Sequence, residues 1–321
     1  MTTTEPVSVT NDLSFLWLEI TAKCNLLCSH CYAESGPRGD LHGNMAYGDW
    51  TRVIDEAAEL GCRSVQFIGG EPTLHPRLAD LVDHANHRSF AFIEVQTNAT
   101  RLGQDLMGCL KRSGAHVSTA FYSDDPAIHE DVTQGKGSWQ RTVTGIETVL
   151  AAGLPLRVGV VETDRNQGHT PRAIAFLHTL GVRNINQERM RGIGRGELVQ
   201  LGTPGERYEE LCGQCWKGKL CVTSSGTVFP CPLSRATDLG AVKSGLLSIL
   251  QTAKLTAFRE KVRVMQEDRL DKLRTASRTA KAADDSCIPN DCIPISCIPT
   301  DCIPTNCIPT NCIPTSCIPT G

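Results

Sequence analysis

No stretch of this chain is apolar for anything near twenty residues, so the sequence holds no candidate for a membrane-spanning helix. Its first residues, Met1 to Asn11, are polar and lack the basic start and apolar run of a secretory signal. Charge of one sign is scarce as well. Against 35 Asp and Glu stand 32 Lys and Arg, and a net charge of −3 creates neither a nucleic-acid-binding nor a membrane-binding field. These absences predict a soluble cytoplasmic protein with no nucleic-acid or membrane partner. What the chain does have is cysteine, 16 in 321 residues. Without export, thiols in a reducing cytosol read as metal ligands rather than disulfides. The length suits one large α/β domain with a smaller appendage.

The first cysteine group lies in Ile20 to Tyr32, directly after the apolar run Leu13 to Ile20, which reads as a buried strand. Cys24, Cys28 and Cys31 are spaced C-x3-C-x2-C. A 4Fe–4S cluster takes four thiolates, so three on one loop leave an iron open to a small molecule. The alternative is a zinc knuckle, which would need His30 or His42 to complete four ligands. Further on, Val65 to Ile68 reads as a strand ending in Gly69-Gly70-Glu71-Pro72. Glycines there permit a close backbone approach to a ligand, and Glu71 offers an acceptor for an ammonium group.

Strand-like runs at 13–20, 63–68, 90–96, 116–122, 156–162 and 182–187 alternate with helical patterns at 47–60, 75–87, 101–112, 138–150 and 171–180. Such alternation implies parallel pairing through right-handed crossovers, hence an α/β fold of the partial (β/α)6 barrel type. Function in such barrels sits at the C-terminal ends of strands. Cys24, Cys28, Cys31, Gly69 to Glu71, Asn98 and Glu162 all fall there. Between the fourth strand and the next helix, 129–137 reads as a polar loop, with Ser138 as the helix N-cap. Arg189 to Gly196 is a basic, glycine-rich loop whose guanidinium groups suit a carboxylate.

Beyond a break at Gly202 to Gly205 come Cys212, Cys215, Cys221 and Cys231, with Thr223 to Pro230 reading as a hairpin. That hairpin would gather the thiols around a second metal, either an iron–sulfur cluster or an all-thiolate zinc. Cys62 and Cys109 read as small buried apolar residues. From Leu246 to about Ala283 the chain is helical in pattern, with Asp268 to Asp285 as a solvent-exposed linker. The tail, 286–321, is seven copies of a unit x-C-I-P-x, from Cys287 to Cys317. Fully extended, successive tail thiols lie roughly 16 Å apart. Either one or two of them complete the second metal site, or the tail is a low-complexity segment without fixed contacts.

The cysteine spacing, the aromatic Tyr32 after it and the Gly-Gly-Glu element about forty residues on resemble the radical S-adenosylmethionine (SAM) superfamily. The likeness spans roughly 13–240 and is strongest to members with a SPASM or twitch-type C-terminal region that mature ribosomally made peptides. It implies that Cys24, Cys28 and Cys31 hold a 4Fe–4S cluster, that SAM binds its open iron, and that Tyr32, Gly69, Gly70, Glu71 and Asn98 contact SAM. Ala120 stands where relatives often carry a SAM-contacting Ser, and His129 to Thr142 resembles their loop before the next helix. Cys212, Cys215, Cys221 and Cys231 would hold an auxiliary iron–sulfur cluster, one rather than two because the usual downstream cysteine run is missing. The implied activity is reductive cleavage of SAM to a 5′-deoxyadenosyl radical that abstracts hydrogen from a peptide. Implied partners are that peptide and a flavodoxin- or ferredoxin-type electron donor; since little chain precedes Leu13, either a separate leader-peptide-binding protein presents the substrate or the barrel rim and tail do. A small-molecule enzyme resembling the molybdenum-cofactor GTP cyclase and a non-catalytic thiol-rich scaffold are the alternatives. The resulting division is 1–12 N-terminus, 13–200 barrel, 206–245 cysteine region, 246–285 helix and linker, and 286–321 repeat tail.

Overall fold

A computed structural model describes residues 12–196 and 208–283, with side chains to 272. The Gly202 to Gly205 break and the repeat tail lie outside the described residues. Strand β1 (Phe15–Glu19) has all five residues buried. It is followed by α1 (Tyr47–Glu59), β2 (Ser64–Ile68), α2 (Leu78–His87), β3 (Phe92–Gln96), α3 (Gln104–Ser113) and β4 (His116–Phe121). Then come α4 (Pro126–Thr133), α5 (Ser138–Ala151), β5 (Leu156–Glu162), α6 (Thr170–Thr179) and β6 (Asn184–Arg189). Strands β1 to β6 pair in parallel, each with the next in sequence. The expected alternation thus forms a parallel α/β sheet, with β6 two residues later than its apolar run suggested.

Alternation along each strand divides the sheet into two faces. Leu16, Leu18, Val65, Phe67, Ile93 and Val95 point into a core with Trp50, Val53, Ile54 and Ala57 of α1, whose spacing places them on one helical stripe. The opposite face carries a buried polar row. Trp17 Nε1 donates to Gln66 Oε1 at 2.7 Å, the Gln66 amide donates to Glu94, and Arg157 Nη2 donates to Glu94 Oε2 at 2.7 Å. Arg157 and Glu94 are almost fully buried, so each is tolerated only because the other compensates it.

The sheet does not stop at six strands. Strand β7 (Lys219–Thr223) lies parallel to β1 in unbroken register, Phe15 opposite Lys219, and β8 (Val228–Phe229) pairs antiparallel to β7. The expected hairpin is therefore present, but as the edge of the barrel sheet rather than in a region of its own. The reason is that β1 would otherwise leave a bare edge with unpaired backbone groups.

Two other segments differ from the sequence reading. Residues 126–133 are a helix, not a loop, because Asp125 Oδ1 accepts from Ala127 N at 2.8 Å and Pro126 occupies the first turn. Ser138 is then the first residue of α5, after Gly137 at φ +71°, and its hydroxyl meets Thr133 Oγ1 at 2.6 Å to tie the two helices together. At the C-terminal side, α7 (Leu246–Leu250) precedes α8 (Ala253–Ala283), which runs through most of the expected linker. Arg269 explains part of this: its guanidinium donates to the carbonyls of Leu211 and Glu209. Among the described residues, no helix is long and apolar enough to cross a membrane.

Candidate functional site

The cysteine loop leaves β1 at its C-terminal end and is fixed by backbone on three sides. Cys24 N donates to Gly36 O at 3.0 Å, while Leu27 N and Ser29 N donate to the carbonyls of Thr133 and Val132 at the end of α4. Asn25 bridges Thr100 Oγ1 and the Asn98 amide at 2.8 and 2.9 Å. Cys24 is buried, Cys28 and Cys31 are partly exposed, and all three line one cavity of about 320 Å3. Burial pushes the Cys24 thiol up to about 11 and that of Cys28 up to about 12, with the neighbouring thiols adding to both. Such thiols ionise only beside a strong positive charge, as a metal centre provides.

Gly69 and Gly70 also line the cavity, but their close approach is to the chain itself. A Cβ on Gly69 would stand 2.6 Å from Thr21 O, and one on Gly70 2.3 Å from Lys23 O. Gly70 N and Glu71 N donate to those same two carbonyls at 2.8 Å, so the end of β2 is zipped to the approach of the cysteine loop. Glu71 is placed otherwise than its expected ammonium-accepting role requires. It is fully buried behind the cavity wall, and its carboxylate accepts from Thr73 N, Thr73 Oγ1, Thr97 Oγ1 and Asn98 N. Glu71 therefore positions Thr97 and Asn98. Asn98 itself faces the cavity, with its amide nitrogen 3.9 Å from Cys24 Sγ.

The basic loop after β6 is likewise spoken for. Arg195 donates to Cys28 O and Ser35 O, both at 2.8 Å, and its backbone N–H to Cys31 O at 3.1 Å. Arg189 pairs with Glu210 at 2.8 Å, and Arg191 donates to Glu210 O at 2.9 Å. Gly194, at φ +59°, packs so tightly that a Cβ would lie 2.4 Å from Tyr32 O. In place of a free carboxylate receptor, this loop is a clasp over the cysteine loop.

The second group assembles in part as expected. Cys212, Cys215 and Cys231 line the same cavity, whereas Cys221 lies on β7 opposite Trp17 and Phe229 and does not. Hydrogen bonding to Cys212 and Cys231 and burial raise the Cys215 thiol well above its usual range. Burial also opposes charge on Cys231, yet donation from Cys215 and Ser234 leaves that sulfur below its ordinary value. Behind them pack Phe258 and Val262 of α8 with Leu211. Arg235 joins the two groups. It pairs with Glu19 and lies 5.5 Å from the Tyr32 ring, which itself lines the cavity. Among the described residues, no three His, Cys, Asp or Glu side chains close on a single ion. A tetrahedral zinc needs sulfurs about 3.8 Å apart, whereas a cubane spreads its thiolates over separate corners.

Five buried polar atoms of residues lining the cavity lack a partner among the described residues: Ser35 Oγ, His30 Nδ1, Glu188 Oε1 and both ring nitrogens of His129. Each orphan costs about 1–3 kcal/mol, a cost that a ligand supplying donors and acceptors removes. Burial presses His129 down to about 3 and His30 to about 4, so both rings are neutral. Burial raises Glu188 to about 7 against the opposing pull of Arg157 and Arg191. Glu188 escaped sequence reading because nothing in Asn184 to Arg189 marks which alternate residues face inward. The strand's polar character, with Glu188 two residues from Asn186, was the available signal.

A parallel barrel sheet carrying three thiols at the end of its first strand, beside a cavity with unmet polar groups, defines a cluster-and-nucleotide enzyme scaffold. Residues 18–166 match the family model described as the radical SAM superfamily, so the chain carries a radical SAM domain. It is therefore an enzyme whose cofactors are a 4Fe–4S cluster and SAM. Among curated relatives, it is similar to "PqqA peptide cyclase" of Streptomyces rochei, 28% identical, with 71% of this chain and 72% of that one covered. "Mycofactocin maturase MftC" of Mycobacterium ulcerans (strain Agy99) is 30% identical, over 70% of this chain and 61% of the relative. A "Probable GTP 3',8-cyclase" of Methanopyrus kandleri is 28% identical, covering about half of each, 51% and 52%. In fold, Streptococcus suis SuiB bound to S-adenosylmethionine superposes with a TM-score of 0.62 at 17% identity, over 79% of this chain and 68% of that one.

Proposed function

We propose that the chain is a peptide-modifying radical SAM enzyme with one auxiliary iron–sulfur cluster. The observation that carries this reading is a single cavity lined both by Cys24, Cys28 and Cys31 and by Cys212, Cys215 and Cys231. Two thiol groups around one space suit a substrate that lies between two redox centres. With a cluster on the first group and SAM beside it, the chemistry supplied is reductive cleavage of SAM to a hydrogen-abstracting nucleotide radical.

The protein's share is holding, orienting and drying. Cys24, Cys28 and Cys31 would hold the first cluster, and the Asn98 amide, held by Glu71 and Asn25, steadies the Cys24 sulfur. Gly69, Gly70 and Tyr32 supply wall against which SAM would lie, and the neutral His129 supplies a donor and an acceptor for its polar groups. Cys212, Cys215 and Cys231 would hold the auxiliary cluster. Glu188, near 7, can keep or release a proton at its Oε1 in the working pH range.

A nucleoside triphosphate would need cations free to meet its phosphates. Arg195 is committed to two carbonyls and Arg189 to Glu210, which favours the peptide over GTP. The test is anaerobic reconstitution with iron and sulfide, followed by SAM and dithionite. The expected result is 5′-deoxyadenosine from the wild type and none from Cys24→Ala. Absence of 5′-deoxyadenosine from reconstituted wild type would end the reading.

A further inference from the structure

We infer that the peptide this enzyme works on is its own C-terminal repeat, 286–321, lying across the mouth of the cavity. The inference rests on the peptide-modifying reading above and names its substrate.

Three observations lead there. The first is the repeat itself. Seven units each present the same Cys-Ile-Pro core at a spacing of five residues, so one site that accepts a unit accepts the others in turn. The second is reach. Arg269 of α8 is bonded to Leu211 O, next to Cys212 in the cavity wall, and the helix continues fourteen residues beyond it to Ala283. Those residues carry the chain about 21 Å from the cavity, and about seven extended residues bring it back. Cys292 lies nine residues past Ala283, so every unit from Cys292 onward can return to the mouth.

The third is charge. The cavity wall includes Arg157 and Arg189, whose charges Glu94 and Glu210 match, and Arg191 and Arg195, which bond only neutral carbonyls and so keep their positive field against one lining carboxylate, Glu188. From Asp284 to Gly321 the chain carries no Lys or Arg and four carboxylates, at Asp284, Asp285, Asp291 and Asp301. An uncharged to acidic, small and apolar segment suits a basic wall with apolar floor far better than a cationic peptide would. Tethering also raises the local concentration of the segment, which makes up for a weak intrinsic affinity.

In the step this implies, a C–H bond of a tail residue breaks and a new C–H bond forms at the 5′ carbon of the adenosyl group. Dithionite would supply the electron that breaks the sulfonium S–C5′ bond and releases methionine, the products being 5′-deoxyadenosine and a tail carbon radical. A solvent-exchanged cysteine thiol of the chain would return a hydrogen atom to that carbon, and dithionite with a proton would restore the thiol, so that protium replaces deuterium in the tail. The experiment takes the full-length chain, uniformly deuterated on carbon, in ordinary water. It is reconstituted with iron and sulfide and given SAM and dithionite with no added peptide. The expected outcome is 5′-deoxyadenosine carrying one deuterium, together with a lowered mass of fragment 282–321 released by trypsin after Lys281. Deuterated 5′-deoxyadenosine with an unchanged fragment mass would place the hydrogen source elsewhere in the chain. Undeuterated product with an unchanged fragment would mean a separate substrate; either result overturns the inference while leaving the enzyme reading intact. No 5′-deoxyadenosine at all would remove both.

A second measurement does not depend on turnover. In the cofactor-free full chain, hydrogen exchange at 28–35 and 188–196 should be slower than in a chain with Ile298→Asp, Ile303→Asp, Ile308→Asp and Ile313→Asp. Equal exchange in the two would show that the repeat does not lie on the mouth, and would equally overturn the inference.

Discussion

The two cysteine groups line one cavity, yet they are built by different means. Cys24, Cys28 and Cys31 sit on an irregular loop held by backbone hydrogen bonds, the Asn25 and Asn98 amides and the Arg195 clasp, with two of the three sulfurs partly exposed. Cys212, Cys215 and Cys231 sit against an apolar cluster with Phe258 and Val262, and Cys215 is hydrogen-bonded to both other thiols. Polar fixation leaves the first group open toward a ligand. Apolar packing closes the second. The same side chain thus serves an open centre in one place and a shielded one in another, according to what surrounds it.

The sharpest way to break this comparison is to remove sulfur from one side at a time. Cys28→Ala should bring 5′-deoxyadenosine formation down to background, whereas Cys215→Ser should keep SAM cleavage and lose modification of the peptide. Iron content should fall in both, each to the share held by the group left intact. If Cys215→Ser also stopped SAM cleavage, the two groups would not be separable.

A packing change tests the closed side alone. Phe258→Ala deletes a fully packed ring behind Cys215 and should cost about 3–4 kcal/mol in denaturant unfolding. Hydrogen exchange should quicken around 212–231 and stay unchanged around 24–31. The open side should respond instead to acid. His129 is held neutral by burial at about 3, while in the unfolded chain it titrates near 6.5. Between those values the unfolded state binds the extra proton, so stability falls as pH drops, by about 3 kcal/mol between pH 7 and pH 4. Because α4 carries both His129 and the carbonyls that hold Leu27 and Ser29, the cysteine loop should loosen first on acidification. His129→Gln should flatten that slope, as read by urea unfolding at pH 4 and pH 7.

The smallest effect concerns the clasp. Arg195→Lys keeps the charge but cannot reach Cys28 O and Ser35 O together, and should cost about 1–2 kcal/mol. A raised KM for SAM with little change in second-site iron would sharpen the distinction between the two sides. Equal loss of iron from both would blur it.

How far these features could be read in advance varies with their range. The strand and helix order from Leu13 to Arg189 follows local patterns and was legible, as were the cysteine spacings. Helix α4 was missed because 129–137 reads as a polar loop, although Asp125 and Pro126 just before it cap a helix. The fate of Glu71 and Arg195 was not legible at all. Each is a charged residue beyond a strand end, and only the positions of Thr97, Asn98, Cys28 O and Ser35 O decide which groups it bonds.

By itself, then, the sequence determined which residues can bind metal and in what order the barrel is strung, because spacing and periodicity act over a few residues. Tertiary structure alone decided that β7 closes the free edge of β1, which thiols share a cavity and which carboxyl stays unmatched there. Those outcomes depend on contacts between residues as far apart as Phe15 and Lys219, whose energy no local pattern records.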